Sequence, residues 1–346
     1  MRDTIIQAAK KTFIALKNPY GSVEKVYPNI ISAYQTQDQV YYTGIKNCAQ
    51  IPPAFVQELR TKGFYMHTLD KASVAGRAID LSLKNPYTGL PMTGSSSGTA
   101  INVHLGINDI GIGTDGGGSV LAPAMAVNLI GFISPLLGQA HIKHKEKRIS
   151  TDGIPFHPSL GCMSKHLDLI ETFLTASLPE LTTETADHKL HVTCDKSDAL
   201  NLTECDIQHI DLSFRTGSRE TLLNQLPHIL NTCDVLISKE GPIDLEGFGD
   251  TVLGHHDPRT KALQERGNKG LIRVVNMAGA TAITLPSKEF ATGIVLICES
   301  SIPKIKHLLT LANRIAQPIQ TQFDRYFCSS NAYYPPGFGE AEDDYL

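Results

Sequence analysis

The sequence contains no apolar run of about 18 residues or more, so no membrane-spanning helix is expected. It has no basic field either. Thirty-one lysines and arginines face 35 aspartates and glutamates, for a net charge of -4, which argues against nucleic acid or an anionic membrane as a partner. The seven cysteines are odd in number and form no CxxC pair. That pattern fits reduced thiols in a cytoplasmic protein better than a disulfide framework or a zinc site. No ligand spacing such as HExxH occurs, so no metal and no other cofactor is implied. The opening residues, MRDTIIQAAKKTF, lack the apolar core and cleavage site of a signal peptide, and a cytoplasmic location is expected. No internal repeat and no domain linker interrupts the chain.

What is present is material for a core. Hydrophobic residues make up 41% and charged residues 19% of 346 positions, which excludes disorder and allows one large domain. Ile5, Ile6, Ala9, Phe13 and Leu16 share one helical face, and Asn18-Pro19-Tyr20-Gly21 ends that helix. Residues 39–46 read as a short strand with Lys46 at its end, and Pro52-Pro53 opens a second helix. Ala100 to Leu105 fits a helix or a strand. Ile110-Gly111-Ile112-Gly113 reads as a buried strand feeding a turn. Helices are expected near 167–174, 219–230 and 305–315, and strands at 234–238, 282–286 and 293–298. Residues 245–269 read as a polar loop near the site. The basic run Lys143 to Arg148 reads as a solvated loop or helix end rather than a binding patch. Strands alternating with helices point to an α/β layered domain over residues 1–336, mainly helical between 164 and 230, with a mobile acidic tail at 337–346.

The chemistry concentrates in Gly113-Thr114-Asp115-Gly116-Gly117-Gly118-Ser119. Three glycines after a strand leave several backbone N–H groups unscreened, able to aim at one point. A negative oxygen there would be stabilised, and an oxyanion hole beside a serine is what acyl transfer needs. A tight turn holding a serine by chance, or a phosphate cradle, are the other readings. The phosphate motif GxxxxGK[ST] is absent. A serine hydroxyl needs a base to take its proton. His141, His144, His157, His255 and His256 all sit in loop, turn or basic contexts, and none is an obvious partner. The run Ser95-Ser96-Ser97 between Gly94 and Gly98 is the more unusual feature.

TGSSSGTA followed by GTDGGGSVLAPA resembles the amidase signature family, which carries a GGSSGG-type run and then a GTDxGGS-type loop. Ser95 and Ser119 stand 24 positions apart, as the family spacing requires. Later segments follow in order: Ile149 to Pro155, Pro158 to Ser164, Cys233 to Ser238, Asn276-Met277-Ala278-Gly279 and Ile283 to Pro286. The resemblance covers roughly residues 40–316 and identifies the chain as a short, divergent member of the family. It implies a central mixed sheet covered by helices. It also implies an amidase hydrolysing a linear carboxamide, with Ser119 as nucleophile, Ser95 as a relay serine entered through a cis peptide bond, and a lysine base. Lys46 fits the strand-end lysine best, ahead of Lys71. Burial at a strand end would let Lys46 lose its charge, as a base must at neutral pH. Amides of Gly116, Gly117 and Gly118 would form the oxyanion hole. Ser96, Thr114, Asp115 and Leu121 are candidate substrate contacts.

Several positions depart from the family pattern. The stretch from Lys46 to Pro52 is short, Asn47 replaces an aspartate, Gly161 replaces another, and Ser97 replaces a glycine. Leu121-Ala122 stands where many relatives have an arginine before the proline, which argues against a small dicarboxylate monoamide as substrate. An acyl transferase using the same acyl-enzyme, and a non-catalytic scaffold that kept the fold, are the alternative readings. The expected partner is a small-molecule amide, with no nucleic acid and no membrane; self-association into a homo-oligomer is left open.

Overall fold

The computed structural model describes residues 2–37, 39–142, 146–182, 189–196 and 202–317. The acidic tail at 337–346, Cys328, and Lys143, His144 and Lys145 of the basic run lie outside these residues. Fifteen strands occur among the described residues. They are β1 (Val23–Val26), β2 (Tyr41–Lys46), β3 (Phe64–Asp70), β4 (Ile79–Lys84), β5 (Pro91–Thr93), β6 (Ile110–Asp115), β7 (Ile130–Ser134), β8 (Arg148–Ile149), β9 (Pro155–Phe156), β10 (Ser159–Ser164), β11 (His191–Asp195), β12 (Asp206–Ile210), β13 (Val235–Glu240), β14 (Thr281–Pro286) and β15 (Gly293–Cys298). The helices are α1 (Arg2–Lys17), α2 (Pro53–Thr61), α3 (Ser97–His104), α4 (Leu121–Ala126), α5 (Leu167–Ser177), α6 (Arg219–Leu230), α7 (Thr251–Gly254), α8 (Pro258–Glu265) and α9 (Ile302–Ile315).

Eleven strands form one mixed sheet in the order β1-β3-β2-β6-β10-β7-β14-β15-β13-β11-β12. Its middle, from β6 to β13, is antiparallel. Parallel pairs flank it, β3-β2-β6 on one side and β13-β11-β12 on the other. Side chains alternate across the sheet, so successive residues enter different cores. Along β15, Val295 and Ile297 join a core with residues of α3, α4 and α6. Leu296 and Cys298 join a second core with residues of α2, α5 and α9. Both faces are covered by helices, which gives the expected α/β layered class.

One local reading is refined and one corrected. Residues 164–230 hold α5 and α6, but β11 and β12 lie between them and extend the sheet in parallel. β12 is an edge strand with mostly exposed side chains, so it lacks the apolar alternation by which a strand is recognised. The polar stretch 245–269 holds two short helices, α7 and α8. Each opens on an aspartate cap, Asp250 or Asp257, whose carboxylate accepts a first-turn amide. The alternative left open at 100–105 resolves as helix, inside α3. The six described cysteines are free thiols.

The alternation Ile-Gly-Ile-Gly in β6 has a packing cause. Ile110 and Ile112 fill the core on one face. On the other face α3 lies so close that a Cβ on Gly111 would stand 2.3 Å from Thr99 Cγ2 and 3.0 Å from Val103 Cγ2. That approach seats the serine-glycine run against the end of the strand that leads into the glycine loop. Gly111→Ala should destabilise the fold by about 1–3 kcal/mol through overpacking. Thr99→Ser, which removes the blocking methyl, should recover part of that loss. Urea denaturation of the two single variants and the double variant tests the coupling, and strict additivity would contradict the contact.

Candidate active site

Lys46 ends β2, between β3 and β6. Its neighbour β6 ends at Asp115 and runs straight into the glycine loop. The serine run lies just before α3. Three chain segments therefore meet at the same end of adjacent elements. Backbone bonds tie them together: Ser96 N–H donates to the Ser119 carbonyl at 3.2 Å, and Ser73 N–H donates to the Ser95 carbonyl at 3.2 Å.

Lys46 is 4% exposed. Its Nζ donates to Ser95 Oγ at 2.7 Å, to Thr114 Oγ1 at 2.9 Å and to the Thr114 carbonyl at 3.3 Å. Burial lowers its pKa to about 8; Cys48 and Asp115 push the other way, and Arg148 pushes with it. An amine held there is neutral in a useful fraction of molecules near neutral pH. Lys71 takes no part in this cluster. Its backbone instead joins Ser22 and Gly98.

Asp115 organises the loop. Its Oδ1 accepts from Gly118 N–H at 2.8 Å, and its Oδ2 from Val120 and Leu121 N–H at 2.6 and 3.3 Å. Burial raises the pKa of this carboxyl against the pull of those amides and of Lys46. Asp115 lines the cavity, yet both its oxygens are engaged by the loop, which makes it a support rather than a substrate contact. The same bond takes the Gly118 amide away from the expected oxyanion hole. No protein acceptor among the described residues engages the amides of Gly116, Gly117 and Ser119.

These groups open into a cavity of about 770 Å³. Lys46, Ser95, Thr114, Gly116, Gly117 and Ser119 line it, together with Cys48, Arg148, Phe156, Arg219 and Met277. No histidine does, among the described residues. Ser119 Oγ has no hydrogen-bond partner there; the contact made is Lys46 to Ser95. Phe156 packs over the loop, since a Cβ on Gly116 would stand 2.3 Å from its ring. Asn276, from the late Asn-x-x-Gly segment, donates to the carbonyls of His157 and Gly116 at 2.9 and 3.4 Å and so braces the loop from behind.

A family model described as Amidase matches residues 82–141, the segment carrying both Ser95 and Ser119. Among solved structures, a bacterial aryl acylamidase of the amidase signature enzymes is 13% identical, with a TM-score of 0.62, over 95% of this chain and 95% of that one. In its motif the chain resembles the amidase signature family, and its fold is the one those structures share. A 6-aminohexanoate cyclic dimer hydrolase is 13% identical, with a TM-score of 0.59, covering 92% of this chain and 95% of that one. Allophanate hydrolase from Kluyveromyces lactis is 16% identical, with a TM-score of 0.57, covering 89% and 70%. At these identities the structural likeness speaks for the fold. No curated protein sequence matches the chain.

Three expectations drawn for this site are corrected. The cis peptide bond before Ser95 is not there: the only cis bond among the described residues is Gly241–Pro242. The turn is made by Gly94 at φ +76°, where a Cβ would also strike Pro123 at 2.5 Å. A left-handed glycine achieves the reversal without the roughly 3–4 kcal/mol of a non-proline cis bond. Leu121 is fully buried in the core around α4 and does not reach the cavity. Ser96 is fully buried as well, its hydroxyl 3.4 Å from the Thr114 carbonyl. Sequence reading missed Arg219 and Phe156, and took Arg148 as part of a solvated run although it lines the cavity. Nothing in their local sequence distinguishes them.

The buried Lys46 has a thermodynamic signature. Its folded pKa of about 8 lies below the ordinary 10.5, so the unfolded chain binds more protons between those values. The penalty is full below pH 8 and fades as pH rises toward 10.5, on the order of 3 kcal/mol in all. Lys46→Met should therefore stabilise the fold by about 1–3 kcal/mol at pH 7, because it removes a buried charge. The gain should shrink by pH 10, as melting-temperature differences at the two pH values will show.

Proposed function

We propose that the protein is an amidase that cleaves a linear carboxamide through an acyl-enzyme on Ser119. The observation that carries this reading is the buried Lys46 ammonium donating at 2.7 Å to Ser95, in the cavity that Ser119 and the open glycine amides also line. Neutral Lys46 accepts the Ser95 proton while Ser95 accepts the proton of Ser119. The Ser119 oxygen then bonds to the amide carbon. The carbonyl oxygen takes the negative charge and faces the amides of Gly116, Gly117 and Ser119, in a loop whose neighbouring amides of Gly118, Val120 and Leu121 are held by Asp115. As the tetrahedral centre collapses, the C–N bond breaks. The proton returns from Lys46 through Ser95 to the leaving nitrogen. Water, deprotonated by the same path, attacks the ester and releases the acid and Ser119.

The base must be unprotonated, so kcat/KM should rise with pH and level off above about 8, falling roughly tenfold per unit on the acid side. A profile flat between pH 6 and 9, or one whose inflection survives Lys46→Met, would contradict the role given to Lys46. Ser119→Ala should lower turnover of an activated amide by about 10³-fold or more. It should also abolish labelling by a fluorophosphonate, read by intact mass. Labelling that persists in that variant would move the nucleophile elsewhere.

A further inference from the structure

A second cavity, of about 670 Å³, adjoins the first and shares Ala78, Gly117, Arg219 and Thr251 with it. Seven of its lining residues are lysine or arginine and two are glutamate, with Lys239 and Lys269 paired to Glu289 and Asp244. One of the two glutamates, Glu240, is buried and turns its carboxylate to the backbone amides of Gly270, Leu271 and Ile272, though its charge still reaches Arg273. Arg219 stands at the junction. It opens α6 and is 8% exposed, which is unusual for an arginine. Its Nη1 pairs with Asp152. Its Nη2 lies 3.6 Å from the point a Cβ on Gly117 would occupy, directly against the glycine loop. Its Nε is buried with no acceptor among the described residues.

Arg273 comes from the opposite wall. Its carbonyl oxygen lies 3.4 Å from the same point on Gly117. Its guanidinium donates to the carbonyls of Gly270, Arg215 and Gly217, and no carboxylate lies within 4.0 Å of it among the described residues. Burial lowers its pKa and the charge of Arg219 pushes the same way, while Glu240, Asp152 and Glu265 push against it. Two repelling, largely buried guanidiniums with unused donors beside a reactive loop are satisfied by an anion placed between them.

We propose that this junction is a carboxylate subsite, with Arg219 as its principal ligand and Arg273 supporting it, so that the substrate is an amide that also bears a carboxylate. The inference rests on the amidase reading for its meaning but not for its test. It reverses the expectation drawn from Leu121-Ala122: the guanidinium absent after the nucleophile is supplied from α6, a hundred residues further on. A carboxylate held by a desolvated arginine gains about 10–100-fold in affinity over a neutral analogue, or about 1.4–2.8 kcal/mol.

The probes are succinamate, a carboxylate-bearing amide, and butyramide, its neutral counterpart, titrated calorimetrically into the Ser119→Ala protein so that neither is consumed. Succinamate should bind at least about tenfold more tightly. Adding Arg219→Met should erase that preference and leave butyramide unaffected; Arg219→Gln serves if the methionine variant does not fold. Asp152→Asn keeps the guanidinium and removes its protein partner, so it should retain or strengthen succinamate binding. Equal binding of the two probes, or no succinamate binding, overturns the subsite. Equal losses in Arg219→Met and Asp152→Asn overturn it too, because they mark a purely structural ion pair. Fluorophosphonate labelling of Ser119 in the unaltered protein reports separately on the amidase reading. A binding preference without labelling would leave the subsite and remove the chemistry.

Discussion

Two buried carboxylates hold the walls of this site in place. Asp115 accepts the amides of Gly118, Val120 and Leu121, and Glu240 accepts those of Gly270, Leu271 and Ile272. The two segments lie back to back. A Cβ on Gly118 would stand 3.2 Å from the Ile272 carbonyl, and one on Gly117 3.4 Å from the Arg273 carbonyl. A glycine-rich loop has many accessible conformations and no side chains to pin it. Polar anchors at its ends replace the missing packing, since unsatisfied buried amides would otherwise be costly. Each anchor is also an anion beside a buried cation, Asp115 near Lys46 and Glu240 near Arg273. The carboxylates thus fix geometry and partly offset the burial of positive charge.

Lys46 shows what the surrounding sheet contributes. β2 is flanked by parallel neighbours, and its last residue is carried beneath the serine run with little freedom to move. The lysine head has three protein acceptors, Ser95 Oγ, Thr114 Oγ1 and the Thr114 carbonyl. Burial makes the ammonium unstable enough to release a proton near neutral pH, while three acceptors keep it from leaving the cavity. A more exposed lysine would stay charged, and one without acceptors would destabilise the fold beyond what a domain of this size tolerates.

Much of the local chemistry was legible because it is written contiguously. The strand end at Lys46, the serine run and the glycine loop each announce themselves by composition, and the fold brings those three segments together. The sheet was less legible. β1, β5 and β9 are too short to show a period, and β12 is a polar edge. The family pattern misled in two places. A cis bond was expected before Ser95 where a left-handed Gly94 does the turning. The pattern counts Gly118 among the open amides, whereas Asp115 engages it. The departure at Gly161 has a plain cause: in β10 a Cβ there would stand 2.5 Å from the Phe132 carbonyl, so this sheet has no room for an aspartate.

Arg219 was invisible for a different reason. Along α6 it is one more arginine before a helical run, next to Glu220 and four residues before Leu223. Its meaning comes from where the helix begins in space, at the seam between two cavities, and no local pattern encodes that. Leu121 makes the complementary point. Its sequence position put it beside the nucleophile, yet α4 turns it into the core, where an arginine would need a partner that the apolar cluster around Val120, Ala124 and Ile133 does not provide. With that position closed to charge, a cation for this site has to arrive from another element. The N-terminus of α6 is placed to deliver one, and its own partial positive charge adds to the field there. Substrate selection in this chain would then be set by helix placement, while the reactive loop keeps its apolar flank and its fold.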